Sequence, residues 1–87
     1  MTYTVQILPA VMRTLRKLPQ EVQVRILLAI YKLEENPHPS GSVKIAGSTN
    51  DCRIRVGDYR VIYEIRDAEL VIAVVDVGHR REVYRGY

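Results

Sequence analysis

Hydrophobic positions change their period along this chain, and each change predicts an element. Tyr3, Val5 and Ile7 alternate with polar neighbours, which predicts a strand over residues 3–8 that Pro9 brings to an end. Val11, Met12, Leu15 and Leu18 then recur at helical spacing while Arg13, Arg16 and Lys17 fall elsewhere on the wheel. This predicts an amphipathic helix over 10–18, with Pro9 suited to its first turn and Pro19 closing it and opening the next. The second helix, over 20–36, carries two apolar stripes. Val22, Ile26, Ala29, Ile30 and Leu33 form one, and Val24, Leu27, Leu28 and Tyr31 form another on nearly the opposite side. One face is expected to pack on a sheet and the other on the first helix; the alternative is a face that feeds a partner surface.

The run Asn36-Pro37-His38-Pro39-Ser40-Gly41-Ser42 is a loop by composition. Strand patterns follow over 51–56, 59–66 and 70–77. Gly57-Asp58 is a two-residue turn whose glycine tolerates positive φ, and Asp67-Ala68-Glu69 separates the second pair. The unbroken run Leu70-Val71-Ile72-Ala73-Val74-Val75 is that of a central strand covered on both sides. The predicted fold class is α+β in the order β-α-α-β-β-β, two N-terminal helices packed on a small, twisted, mainly antiparallel sheet.

Length bounds this picture: 87 residues make one domain, 1–87, with a thin margin of stability. A hydrophobic fraction of 47% suffices for a core, and 26% charged residues is ordinary, so disorder is not expected. Cys52 is the only cysteine and cannot form an internal disulfide, which points to the cytoplasm. The N-terminus lacks a signal-peptide pattern and no stretch reaches the ~20 apolar residues of a membrane span. A net charge of +3 is mild, but ten of the thirteen basic residues are arginine, whose planar fork matches phosphate.

Hairpin register turns that arginine content into a site. With Gly57-Asp58 as the loop, Val56 pairs with Tyr59, Arg55 with Arg60, Ile54 with Val61 and Arg53 with Ile62. Side chains alternate, so Arg53, Arg55 and Arg60 share one face and Ile54, Val56, Tyr59, Val61 and Tyr63 the other. Like charges directly opposite one another are destabilising, and arginine does not lose its proton. A bound anion relieves the repulsion; so would nearby carboxylates such as Glu64 or Asp76, or solvent screening. Downstream, Gly78-His79-Arg80-Arg81-Glu82-Val83-Tyr84-Arg85 adds arginines, a histidine and a tyrosine. These side chains suit phosphodiester cleavage, in which an RNA 2′-hydroxyl loses a proton, attacks the adjacent phosphorus and displaces the 5′-oxygen.

The segments Asp51-Cys52-Arg53-Ile54-Arg55-Val56-Gly57-Asp58-Tyr59-Arg60-Val61-Ile62-Tyr63 and Val77-Gly78-His79-Arg80-Arg81-Glu82-Val83-Tyr84 resemble the signature of RelE-family toxins of type II toxin–antitoxin systems. The resemblance extends over nearly the whole chain, including the Lys44-Ile45-Ala46-Gly47 lead-in. It implies a RelE-like fold and a metal-independent, cofactor-free endoribonuclease that cuts mRNA in the ribosomal A site. It also implies an antitoxin that wraps the toxin in a hetero-oligomer. By the same resemblance Arg53 and Arg55 hold the RNA backbone, and Arg55 helps activate the hydroxyl. Arg60 stabilises the pentavalent phosphate. Arg80 is a second phosphate clamp and candidate proton donor, and Tyr84 a candidate general base and stacking partner. Lys44, His79 and Arg81 complete the expected RNA contacts, with His79 the rival for acid–base work. A free phenol is only about one part in a thousand ionised at pH 7, and surrounding arginines favour the phenolate.

Two departures accompany the resemblance. Ala46 stands where relatives carry a basic residue, which removes one expected phosphate contact. The sequence runs only to Tyr87, where many relatives continue into a C-terminal helix, leaving the corresponding groove open or the tail around Tyr84 loosely held. The fold is shared with ParE-type toxins, which inhibit DNA gyrase and lack the cleaving residues, so gyrase inhibition is the alternative function. His38, alone in its loop, is read as surface, and Cys52 as a small, half-buried side chain rather than a reactive thiol. No His, Cys or carboxylate cluster has metal-ligand spacing.

Overall fold

Two helices cover one face of a five-stranded sheet in the computed structural model, which describes residues 2–79. In chain order these are β1 (Thr4–Ile7), α1 (Pro9–Arg16), α2 (Gln20–Lys32), β2 (Val43–Lys44), β3 (Asp51–Val56), β4 (Tyr59–Arg66) and β5 (Val71–His79). The spatial order is β1-β5-β4-β3-β2. Neighbours are antiparallel except β1, which runs parallel to β5. The α+β arrangement is the expected one with β2 added. Two residues are too few to display an alternating pattern, so β2 has no signature of its own.

Prolines and one glutamine shape the helical layer. Pro9 occupies the first turn of α1, where a missing N–H costs nothing. Beyond the end of α1, the Gln23 side-chain amide donates to the carbonyls of Leu18 at 2.8 Å and Arg16 at 3.4 Å, occupying acceptors that a helix terminus leaves unpaired. The α-helical part of α2 stops at Lys32, short of the predicted Asn36. Leu33, Glu34 and Glu35 continue only as tighter turns, bonded to carbonyls three residues back, because Pro37 disfavours helical backbone at the residue before it. That early exit frees Glu34 for another task. Its carbonyl accepts the Tyr3 N–H at 2.7 Å and its carboxylate the Val5 N–H at 3.3 Å, which closes part of the outer edge of β1.

The core lies between the helices and one face of the sheet. Val11, Leu15, Ile26, Ile30 and Leu33 meet Cys52, Ile54, Val61, Tyr63, Ile65, Ile72, Val74 and Val77, all buried. Tyr63 is fully buried and its hydroxyl donates to the Pro37 carbonyl at 2.7 Å, tying the loop after α2 to the centre of the sheet. Desolvation pushes that phenol up to about 12. The second stripe of α2 does not pack on α1 as expected: Val24, Leu28 and Tyr31 are 50%, 60% and 49% exposed. Partly buried Leu27 alone turns inward from that set.

β5 begins one residue later than predicted. Leu70 adopts left-handed backbone (φ 53°) and ends the tight turn Asp67–Glu69, while its carbonyl accepts the Thr4 N–H at 2.8 Å and starts the parallel pairing with β1. Farther along, the β4–β5 register shifts by one residue: Tyr63 opposes Val74 but Ile62 opposes Asp76, leaving Val75 as the extra residue of a bulge. Strict alternation would aim Asp76 with Ile72 and Val74 at the helices. The bulge instead sends Asp76 to the other face and brings Val77 into the core, avoiding a buried carboxylate. Among the described residues, no helix is long and apolar enough to cross a membrane.

Candidate functional site

The β3–β4 hairpin has the register that its sequence predicts: Arg53 opposite Ile62, Ile54 opposite Val61, Arg55 opposite Arg60 and Val56 opposite Tyr59. Gly57 takes φ +59° at the first turn position while Asp58 does not, as a type II′ turn demands. Ile54, Val56, Tyr59 and Val61 therefore face the helices, and Arg53, Arg55 and Arg60 share the opposite face.

Extending the rows across β5 completes the floor of this face. One row runs Arg53, Ile62, Asp76 and the next Arg55, Arg60, Gly78. Gly78, which is buried, contributes no side chain to the row beside Arg60. Arg55 is exposed, and its Nε donates to the Gly57 carbonyl at 3.1 Å, so the turn itself steadies the guanidinium. Arg53 and Arg60 are half-buried, and Nη1 of Arg60 is shielded from solvent.

Of the two carboxylates considered as neutralisers, Glu64 is engaged elsewhere and Asp76 shares the arginine face. Glu64 accepts from Arg66 Nε at 2.5 Å, and Arg66 also reaches Glu69 at 3.9 Å, so this acid belongs to a separate cluster toward the far end of β4. Asp76 lies on the arginine face, but burial raises its carboxyl above the ordinary range, opposed by a hydrogen bond from the Val77 N–H.

Two residues grouped with the arginines by sequence sit on the other face. Lys44 is exposed and opposes Cys52 in register, which puts it at the helix side of the sheet's outer edge. His79 opposes Tyr59, with ring centroids 5.8 Å apart at 75°, an edge-to-face pair on the helix side. Lys44 and His79 therefore lie on the opposite face of the sheet from Arg53, Arg55 and Arg60. Arg80, Arg81 and Tyr84 lie outside the described residues. Ala46 is exposed in the turn after β2, where Ile45 N–H bonds to Asp51 at 3.0 Å.

Cys52 is buried rather than half-buried, and desolvation pushes its thiol up despite Lys44. It is poorly suited to nucleophilic work. His38 is exposed, as expected. Among the described residues no group of three or more His, Cys, Asp or Glu side chains is arranged to hold a metal ion. The arrangement offers a cationic shelf able to bind phosphate by bidentate hydrogen bonds.

Comparison with known proteins gives this shelf a context. The family model for the ParE toxin of type II toxin–antitoxin systems, parDE, matches residues 5–84. A RelE-like toxin protein of Escherichia coli is 30% identical over 81 residues, covering 92% of this chain and 85% of that protein. Toxin RelG of Mycobacterium tuberculosis is 29% identical over 86 residues, covering 98% and 99%. The crystal structure of the archaeal RelE–RelB complex from Pyrococcus horikoshii OT3 is similar in fold, with a TM-score of 0.83 and 33% identity over 94% of this chain and 99% of that one.

Proposed function

Because this chain belongs to the ParE toxin family of type II toxin–antitoxin systems, with RelE-type toxins among its relatives, we propose that it is an mRNA endoribonuclease. In this reading it acts in the cytoplasm, enters the ribosomal A site and cuts the message there, which stops translation. The observation that carries the reading is the placement of Arg53, Arg55 and Arg60 on one face, with Arg55 and Arg60 directly opposed. Gyrase inhibition gives that conjunction no purpose, whereas a phosphodiester does.

The chemistry follows from charge. Attack of a 2′-oxygen on phosphorus creates a pentavalent phosphate with additional negative charge, and preorganised guanidinium groups stabilise it more than the ground state. Arg60, half-buried beside Gly78, is assigned to that phosphate. Arg53 and Arg55 hold the flanking backbone, and Arg55, steadied by the Gly57 carbonyl, also lowers the cost of ionising the hydroxyl. Tyr84 takes the 2′-hydroxyl proton; Arg80, which stays protonated, stabilises the charge developing on the leaving 5′-oxygen by hydrogen bonding while that oxygen takes its proton from solvent, and Arg81 is a further phosphate contact. The products are a 2′,3′-cyclic phosphate and a free 5′-hydroxyl, and the arginines provide the positive charge without a metal.

A toxin of this kind is held silent by a cognate antitoxin in a hetero-oligomer, as RelE is found with RelB in the Pyrococcus horikoshii complex. The decisive experiment induces the chain from a tight promoter, maps mRNA 5′ ends and assays gyrase supercoiling in parallel. Codon-phased cuts in translated messages that disappear in Arg60→Ala support the reading. Intact messages with inhibited gyrase overturn it.

A further inference from the structure

Beside the arginine shelf the outer edge of the sheet is incomplete. Among the described residues β2 pairs with β3 only at Cys52 and Arg53, so the edge of β3 from Ile54 to Val56 carries no further strand. Continued backward, the β2 register would set Gly41 opposite Arg55. The chain turns away instead: the Ser42 N–H bonds to the Pro39 carbonyl at 3.0 Å and Gly41 takes φ +90°. This leaves a cleft of about 320 Å³ lined by Ile54 and Arg55 of β3, Ala29 and Lys32 of α2, and the loop at Pro39 and Gly41.

Strand geometry dictates what Arg55 presents there. In a two-residue hairpin the residues flanking the turn, Val56 and Tyr59, exchange backbone hydrogen bonds, and bonded and non-bonded positions alternate from that pair. Arg55 is thus non-bonded toward β4, and its N–H and C=O point outward together. Asp51, four residues earlier, follows the same rule, its carbonyl accepting the Ile45 N–H at 3.0 Å on that edge. An adjacent donor and acceptor match a nucleobase edge, such as the N7 acceptor and N6 donor of adenine. Ile54, Ala29 and Pro39 offer apolar surface to the ring faces, and the charged residues of the lining, Lys32 and Arg55, are both cationic. A protein strand suits the cleft less well. Arg55 is the one outward-facing residue between Arg53, which β2 occupies, and the turn at Gly57, and a strand needs a longer edge.

We propose that this cleft takes one unstacked base of the RNA, bonded along its edge to the Arg55 backbone, with the adjoining phosphate on the Arg55 guanidinium. Arg55 joins the two sites, its side chain on the arginine face and its backbone at the cleft. The proposal rests on the reading of the arginine face as an RNA site and adds a subsite for a base, so that the protein senses sequence beside the phosphates it holds.

The test uses the full-length protein and a short single-stranded RNA in which one nucleotide at a time is made abasic. Affinity, followed by fluorescence anisotropy, is expected to fall about tenfold at one position and little elsewhere, as loss of one stacked base does. Ala29→Leu, which fills the cleft, should bind the intact RNA about tenfold more weakly and lose the distinction at that position. Lys32→Glu, an exposed change, should cost about fivefold at low salt and less at high salt. In the parent protein, NMR exchange of the Arg55 N–H should slow with intact RNA and stay fast when the sensitive position is abasic. Tight binding with an even abasic scan, a sensitive position that persists in Ala29→Leu, or Arg55 exchange unchanged by RNA removes the base from the cleft and leaves the RNA reading standing. Arg55 exchange slowed by an extended peptide and not by RNA assigns the edge to a protein strand and also overturns the proposal. If the parent binds no RNA, both readings fall.

Discussion

Arg55 and Arg60 stand directly opposite one another across the β3–β4 hairpin and point to the same face. Their juxtaposition costs stability by an amount of order a few tenths of a kcal/mol to 1 kcal/mol, the usual range for like charges in cross-strand register. Concentrating positive charge on this face therefore works against the hairpin that presents it.

Converting the pair to opposite charges should reverse that cost. Arg55→Glu is expected to stabilise the protein by about 0.5 kcal/mol in urea unfolding. Its affinity for a short single-stranded RNA should fall at least tenfold. A variant that is both less stable and equally tight in RNA binding would contradict the repulsion and the site together.

Phosphate contact has a thermodynamic signature of its own. With three or four contacts and roughly 0.7 ions released per contact, the log–log dependence of RNA affinity on salt should have a slope of about −2 to −3. Arg60→Ala should make it shallower by somewhat under one and reduce cleavage by about 100-fold or more. Fluorescence anisotropy at several salt concentrations measures the first, and single-turnover cleavage on ribosomes the second. A slope near zero in the parent would rule out phosphate binding by these arginines.

Asp76 gives a pH test whose sign is set by burial. Its carboxyl is raised in the folded protein, so folding favours the protonated form, and the associated stability is present below the unfolded value and lost as pH rises through the folded one. Asp76→Asn, which cannot ionise, should therefore be the more stable protein at neutral pH. Its advantage should shrink as acid brings the parent's Asp76 to its neutral form. Thermal melts of both proteins across the acidic range decide the matter; an advantage that grows toward low pH would reverse the assignment.

Tyr63 links the core to the loop after α2. Tyr63→Phe leaves the ring in place and removes the hydrogen bond to the Pro37 carbonyl, at an expected cost of about 1 kcal/mol. Because the folded phenol is pushed up to about 12, the unfolded chain ionises first, and this tyrosine favours unfolding as pH rises above the ordinary tyrosine range. The parent should lose more stability than Tyr63→Phe between pH 9 and 11, measured by urea titration. Equal losses would show that Tyr63 is not the group responsible.

The local rules that governed this chain were legible in its residues. Alternation and helical spacing placed both helices and four strands, and a glycine able to adopt positive φ located the hairpin turn. The two-residue turn then determined the register of Arg53, Arg55 and Arg60, since antiparallel pairing follows from the turn outward. Other features depended on contacts between distant segments. Pairing of β1 with β5 joins residues remote in sequence, and β2 is too short to show a period. The bulge at Val75 arises because Asp76 and Val77 compete for one buried position, a choice that only the helices packed above can impose. Those partners also separated Lys44 and His79 from the arginines, because side follows strand register and not proximity in sequence. They left Val24, Leu28 and Tyr31 uncovered too, since apolar spacing reveals which residues can be buried and only packing reveals which ones are.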